Sequence, residues 1–153
     1  MTERETDELY MRQALALARE AGELGEVPIG AVLVARGEVQ GRGLNRREQA
    51  KDATRHAEMD AIREACAAMG GWRLPDATLY VTLEPCPMCA GAILNARIGR
   101  LVYGAADPKS GAAGSRVDLL SADLCNHGVE VCGGVLAEEC ADRLRQFFAA
   151  RRR

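Results

Sequence analysis

The chain has 153 residues, 48% of them hydrophobic, which is enough apolar material for the core of one domain spanning residues 1–153. Its formal net charge is −2, with 20 Lys and Arg against 22 Asp and Glu, so no global basic surplus marks it for nucleic acid and any such partner must be met by a local patch. The sequence begins Met1-Thr2-Glu3-Arg4-Glu5, charged where a secretion signal would turn apolar, and no apolar run approaches the roughly 18 residues of a membrane span; we expect a soluble, cytoplasmic protein without a membrane partner.

Along residues 5–20 apolar side chains recur at Tyr10, Ala14, Leu17 and Ala18, the spacing of an amphipathic helix, with Gly22 and Gly25 as the stop. Residues 29–34 and 39–43 read as a β-hairpin whose turn uses Gly37. Residues 45–54 are polar. The helical period then resumes at Ala57, Ala61, Ile62, Ala65 and Met69, so a second helix begins near His56 and ends at Gly70-Gly71.

Residues 78–83 form a β-type run, Pro85 and Pro87 mark a switch from strand to helix, residues 88–96 are helical, and 100–104 are strand-like. That β-α-β unit implies a right-handed crossover and parallel neighbouring strands, hence a mixed sheet with helices on both faces. Residues 105–115, rich in Gly, Ala and small polar types, read as an ordered loop. A short strand at 129–132 and a last helix from about Ala137 complete the chain, with no internal repeat.

Six cysteines stand at positions 66, 86, 89, 125, 132 and 140; in a cytosolic chain they are poor evidence for disulfides, and some of them are candidate metal ligands. Cys86 and Cys89, three apart at a helix start, share one face, and the helix dipole there favours thiolate. Cys-x-x-Cys by itself fits redox chemistry or a metal. His56, one of only two histidines, lies at another predicted helix start within His56-Ala57-Glu58. One His and two Cys make three protein ligands and leave the fourth position of a tetrahedral zinc open, as catalysis requires. A structural site would need a fourth protein ligand from Cys66, Cys125, Cys132, Cys140 or His127. Glu58 follows His56 by two residues, about 200° around an ideal helix, so it is no second ligand on the same face; from the first turn it can reach alongside the metal and carry protons. An exposed helix glutamate is the alternative.

His56-Ala57-Glu58 with Pro85-Cys86-Pro87-Met88-Cys89 matches the H-x-E and P-C-x-x-C pattern of zinc nucleobase deaminases. The chain thereby resembles the cytidine deaminase superfamily, which implies a three-layer α/β/α sandwich around a five-stranded mixed sheet. Within it, the stretches 27–32, 82–86, 109–115 and Phe147-Phe148 are similar to those of bacterial tRNA-specific adenosine deaminases. That resemblance implies hydrolytic conversion of the wobble adenosine of an arginine tRNA to inosine, one zinc per subunit held by His56, Cys86 and Cys89, and proton transfer by Glu58. It also implies a homodimer, with Asn45 meeting the flipped base or its ribose, Asp107 a neighbouring ribose, and Phe148 and the final arginines the anticodon loop. The residues leave other roles open: Asn45 and Asp107 are familiar turn formers, and Phe148 with Leu144 has the spacing of a core pair. Arg55, directly before His56, departs from relatives that carry a small residue there and puts an arginine at the expected approach to the pocket.

A deaminase of free guanine or cytosine uses the same motifs and is the nearest alternative. A zinc-stabilised RNA-binding module without catalysis, for which Glu58 is dispensable, and a thiol redox protein with a Cys86–Cys89 disulfide are the others.

Overall fold

A computed structural model describes residues 1–121 and 128–151 of the chain. Cys125, His127, Arg152 and Arg153, singled out above, lie outside the described residues. The elements run α1 (Glu3–Glu23), β1 (Gly30–Ala35), β2 (Glu38–Leu44), α2 (Arg47–Ala50), α3 (Ala57–Met69), β3 (Thr78–Leu83), α4 (Pro87–Asn95), β4 (Arg100–Ala105), β5 (Glu130–Gly133) and α5 (Ala137–Arg151). Among the described residues, no helix is long and apolar enough to cross a membrane.

The five strands lie in the order β2-β1-β3-β4-β5. β1 pairs antiparallel with β2 and β3, whereas β3 with β4 and β4 with β5 are parallel, so the sheet is mixed as expected from the β-α-β unit. Strand alternation divides the core. Ala31 and Leu33 of β1, Leu79 and Val81 of β3 and Leu101 of β4 pack against Ala57, Ala61 and Ala65 of α3 and Ala90 and Ile93 of α4. Val32 and Val34, Tyr80 and Val102, their neighbours in sequence, point to the opposite face, onto Met11 and Ala14 of α1 and Cys140 of α5. The result is the three-layer α/β/α sandwich.

Three local details differ from the expectation. α1 starts earlier, because Thr2 and Glu5 form a reciprocal capping box, and it runs through Gly22 to a C-cap at Leu24. The hairpin turn places Arg36 as well as Gly37 at positive φ, 56° and 72°, the pair of left-handed residues that a two-residue turn matched to strand twist requires. The polar stretch after β2 contains α2, only four residues long and without a buried side chain, so it carries no apolar period to read. Its helical turn is held from outside: buried Glu26 accepts from the Glu48 and Gln49 backbone N–H groups at 3.0 and 2.6 Å.

The approach of α3 to the sheet decides where the site forms. A Cβ on Gly41 would collide with the Ala61 carbonyl oxygen, and one on Gly43 with that of Ala57. The bare glycine backbone of β2 therefore lets the first turns of α3 lie directly on the strand, bringing His56 and Glu58 over the C-terminal end of β3.

Candidate active site

His56 and Cys86 occupy equivalent positions: each is the N-cap of its helix, α3 and α4, in extended backbone (φ −80°, ψ 154° and φ −76°, ψ 173°), and neither spends its side chain on capping. Pro87 begins α4 directly after Cys86, at the one helical position where a missing N–H costs nothing. Cys89, one turn further, is fully buried. The two helix N-termini thus meet, and three side chains point into the space between them.

The Cys86 and Cys89 sulfurs lie 3.6 and 3.5 Å from Nδ1 of His56, and the three ligand atoms are all within 4.8 Å of one another. For tetrahedral zinc, with Zn–S of about 2.3 Å and Zn–N of about 2.0–2.1 Å, the N···S edge should be about 3.6 Å. Both N···S edges therefore match those of such an ion. Among the described residues no fourth His, Cys, Asp or Glu joins this group: Cys66, Cys132 and Cys140 lie elsewhere, and no disulfide links Cys86 to Cys89.

Electrostatics prepare the pair for a cation. The Cys89 thiol and then the His56 ring hold Cys86 down to about 4, against the cost of burial, so it is a thiolate at neutral pH. Cys89, beside that charge and buried, is pushed far up and keeps its proton until a cation replaces it. His56 is raised, chiefly by its hydrogen bond with Cys86.

Glu58, in the first turn of α3, is only 4% exposed, and burial pushes its carboxyl up to about 7, with His56 opposing. It stands outside the ligand group. A carboxyl that changes protonation near neutral pH can both take and return a proton.

A pocket of about 100 Å³ opens at this point, lined by Val27, Ile29, Asn45, Arg47, His56, Ala57 and Glu58. Asn45 is buried in its wall, its amide nitrogen donating to the Val27 carbonyl at 3.2 Å and its amide oxygen accepting from Arg47 N–H at 3.2 Å. Each amide end retains capacity for a further hydrogen bond.

A family model for MafB19-like deaminases matches residues 5–152. The tRNA-specific adenosine deaminase of Bacillus subtilis is 55% identical over 142 residues, 93% of this chain and 88% of its own. That of Agrobacterium fabrum is 54% identical over 94% of each chain. The chain belongs to the tRNA-specific adenosine deaminase family. A structure from a study of A-to-I editing by tRNA:A34 deaminases superimposes on this deaminase with TM-score 0.84 at 54% identity, covering 88% of this chain and 98% of that one. A guanine deaminase from Nitrosomonas europaea gives TM-score 0.82 at 25% identity, over 93% of this chain and 84% of its own.

The deaminase brings three of its seven expected site residues, His56, Cys86 and Cys89, into one cluster, with Glu58 and Asn45 lining the adjoining pocket. Asp107 does not line that pocket; its carboxylate accepts from the Lys109 and Ser110 N–H groups at 3.0 and 3.1 Å and shapes the turn after β4. Phe148 is 45% exposed on α5, edge-on to Phe147, rather than paired with Leu144 in the core. Phe147 instead carries the Arg151 guanidinium 3.7 Å above its ring. Arg55 is turned from the pocket: it binds both oxygens of Asp60 at 3.0 and 3.1 Å and lines a neighbouring groove with Arg42, Arg46 and Arg63. Val27, Ile29 and Arg47 were not anticipated as pocket residues; their positions beside Pro28 and Asn45 are the only sequence signal.

Proposed function

We propose that the protein hydrolyses the wobble adenosine of a tRNA, an arginine tRNA by resemblance, to inosine and ammonia. One zinc is held by His56, Cys86 and Cys89, and protons move through Glu58. The observation that carries this reading is a three-ligand cluster whose His56 lines the same pocket as a buried, near-neutral glutamate. A zinc ion bound there supplies water activated for attack at neutral pH.

The chain's own residues do the rest. Glu58 accepts a proton from the attacking water and delivers it to the ring nitrogen; it then takes the second proton from the newly added hydroxyl and passes it to the amine as the C–N bond breaks, so that adenosine and water leave as inosine and ammonia. Asn45, clamped between Val27 and Arg47, orients the base or its ribose. An unpaired loop base is the natural substrate because extruding it breaks no base pair. Asp107, through the turn it shapes, and Phe148, standing free on α5, contact the flanking nucleotides.

The relatives at 53–55% identity carry the tRNA-specific name, which favours RNA over a free base. We further infer one deaminase domain over residues 1–153, a cytoplasmic location and a homodimer whose loops both reach the RNA; light scattering of the purified protein tests the last. The decisive assay offers an anticodon stem-loop beside free guanine and cytosine. Inosine in the stem-loop is the expected result, and ammonia from the free bases alone overturns the substrate assignment in favour of a base deaminase.

A further inference from the structure

We propose that Glu84 is a positioning residue for RNA: its buried carboxylate is the template on which the 107–115 loop is wound and fastened to the strand end that carries Cys86. The proposal rests on the reading that this loop borders the substrate.

Glu84 is 2% exposed and sits between the end of β3 and Pro85-Cys86, yet it belongs to no metal group and touches no substrate pocket. Four donors converge on it. Oε1 accepts from Asp107 N–H at 3.0 Å and from the Ser115 hydroxyl; Oε2 accepts from Ala113 N–H at 3.0 Å and Ser115 N–H at 3.1 Å. The backbone adds two clasps, Glu84 N–H to Ala105 at 2.9 Å and Ala112 N–H to the Pro85 carbonyl at 2.8 Å. Gly111 passes so close that a Cβ would collide with the Glu84 carboxyl carbon and with the Asp107 carbonyl oxygen. A loop of ten residues, 106 to 115, is thereby wound around one side chain that the sequence places two residues from a metal ligand. Backbone N–H groups in a loop normally find water or a ladder partner; here three of them face the same buried carboxylate, an arrangement that holds Asp107, Lys109 and Ser110 in place before any ligand arrives.

Glu84→Gln is the sharpest probe, because it keeps shape and exchanges one acceptor for a donor. An amide NH2 at Oε2 would face two N–H groups, neither of which can accept. At Oε1 it would face Asp107 N–H, with only the Ser115 hydroxyl able to turn round and accept. Either orientation therefore leaves at least one backbone N–H opposed. In Glu84→Gln we expect zinc content and kcat close to the parent, but a KM for the anticodon stem-loop raised roughly tenfold or more, the scale of losing a charge-assisted hydrogen bond. Gly111→Ala, which breaks the wrap from the loop side without altering the segment before Cys86, should give the same split. Ser115→Ala, which removes one donor of four, should give a smaller rise.

Amide exchange reads the same claim without substrate. Exchange at Asp107, Ala113 and Ser115 should quicken at least tenfold in Glu84→Gln, while Ala90, whose N–H binds the Cys86 carbonyl at 2.9 Å, keeps its protection. Should the parent make no inosine at all, the functional reading fails and the exchange data still decide the role of Glu84. Unchanged loop exchange overturns the proposal, and so does a loss of zinc or an equal fall in kcat and kcat/KM, which would assign Glu84 to the metal site instead.

Discussion

Replacing Glu58 by Gln separates the chemistry of the site from its stability. Burial raises the Glu58 carboxyl from 4.5 to about 7 in the metal-free fold. An acid whose folded pKa is raised stabilises the fold only while protonated, so the parent loses stability as pH climbs from about 4.5 to about 7 and gains none back above that. At about 1.36 kcal/mol per pH unit, the penalty at neutral pH is at most about 3 kcal/mol. Gln, uncharged and of the same shape, escapes it. Chelator-treated Glu58→Gln should therefore resist denaturant better than the treated parent at pH 7.5, the two converging toward pH 4.5. The same variant should retain zinc and lose about 10²–10⁴ in turnover, the scale of one positioned proton carrier. Turnover within tenfold of the parent, or a metal-free variant less stable than the parent at pH 7.5, refutes the assignment.

Other perturbations test the remaining structure. Chelation should abolish deamination and zinc should restore it; loading metal-free protein near pH 7 should release protons into weak buffer, from Cys89 and from His56, whose raised ring must become neutral to act as a ligand, and a pH-indicator titration without release would exclude this ligand set. Asp7, on the buried face of α1, receives the Tyr80 hydroxyl at 2.9 Å and two Arg100 bonds at 2.7 and 2.8 Å. Burial alone would raise its pKa, but Arg100 and Tyr80 hold it below the usual carboxylate range. Its stabilisation is thus complete above that range and lost as pH falls through the lowered value. Asp7→Asn should cost about 1.5–3 kcal/mol at pH 7, since Arg100 keeps Glu130 at 2.6 Å, measured by urea unfolding, with the difference shrinking in acid; a constant difference would contradict the charged pair. Gly43→Ala should push α3 off β2, destabilise by about 1–3 kcal/mol and weaken zinc retention, since His56 caps that helix; thermal unfolding and metal analysis check both effects.

What the sequence reveals and hides here follows the range of the interactions. Strands β3 and β4 and helices α3 and α4 are legible because their apolar periods, Pro87 and Gly70 are local signals. His56, Cys86 and Cys89 are legible because zinc chemistry restricts ligand type and number, although their meeting depends on β2 glycines that carry no side chain to read. The short α2 is illegible, since its support comes from Glu26, more than twenty residues earlier in the chain. Arg55 misleads for a similar reason: sequence places it next to His56, but Asp60, one helical turn into α3, draws its guanidinium aside.

Glu58 and Glu84 illustrate why residue type and burial together do not decide a role. They are 4% and 2% exposed, and desolvation pushes both upward. Glu84 nevertheless ends below its ordinary value, because the Ser115 hydroxyl and the N–H groups of Asp107, Ser115 and Ala113 all stabilise its charge. Glu58 has no such set of donors and rests near 7. One fold thus keeps two buried glutamates in opposite states: an ionised one that no proton visits and that can organise a loop, and a near-neutral one free to carry protons. Adding donors around Glu58 would steady the site and, by lowering its pKa, take away the proton it needs to give; stability and turnover pull in opposite directions at that residue, and the sparse hydrogen bonding of Glu58 is the compromise the structure displays.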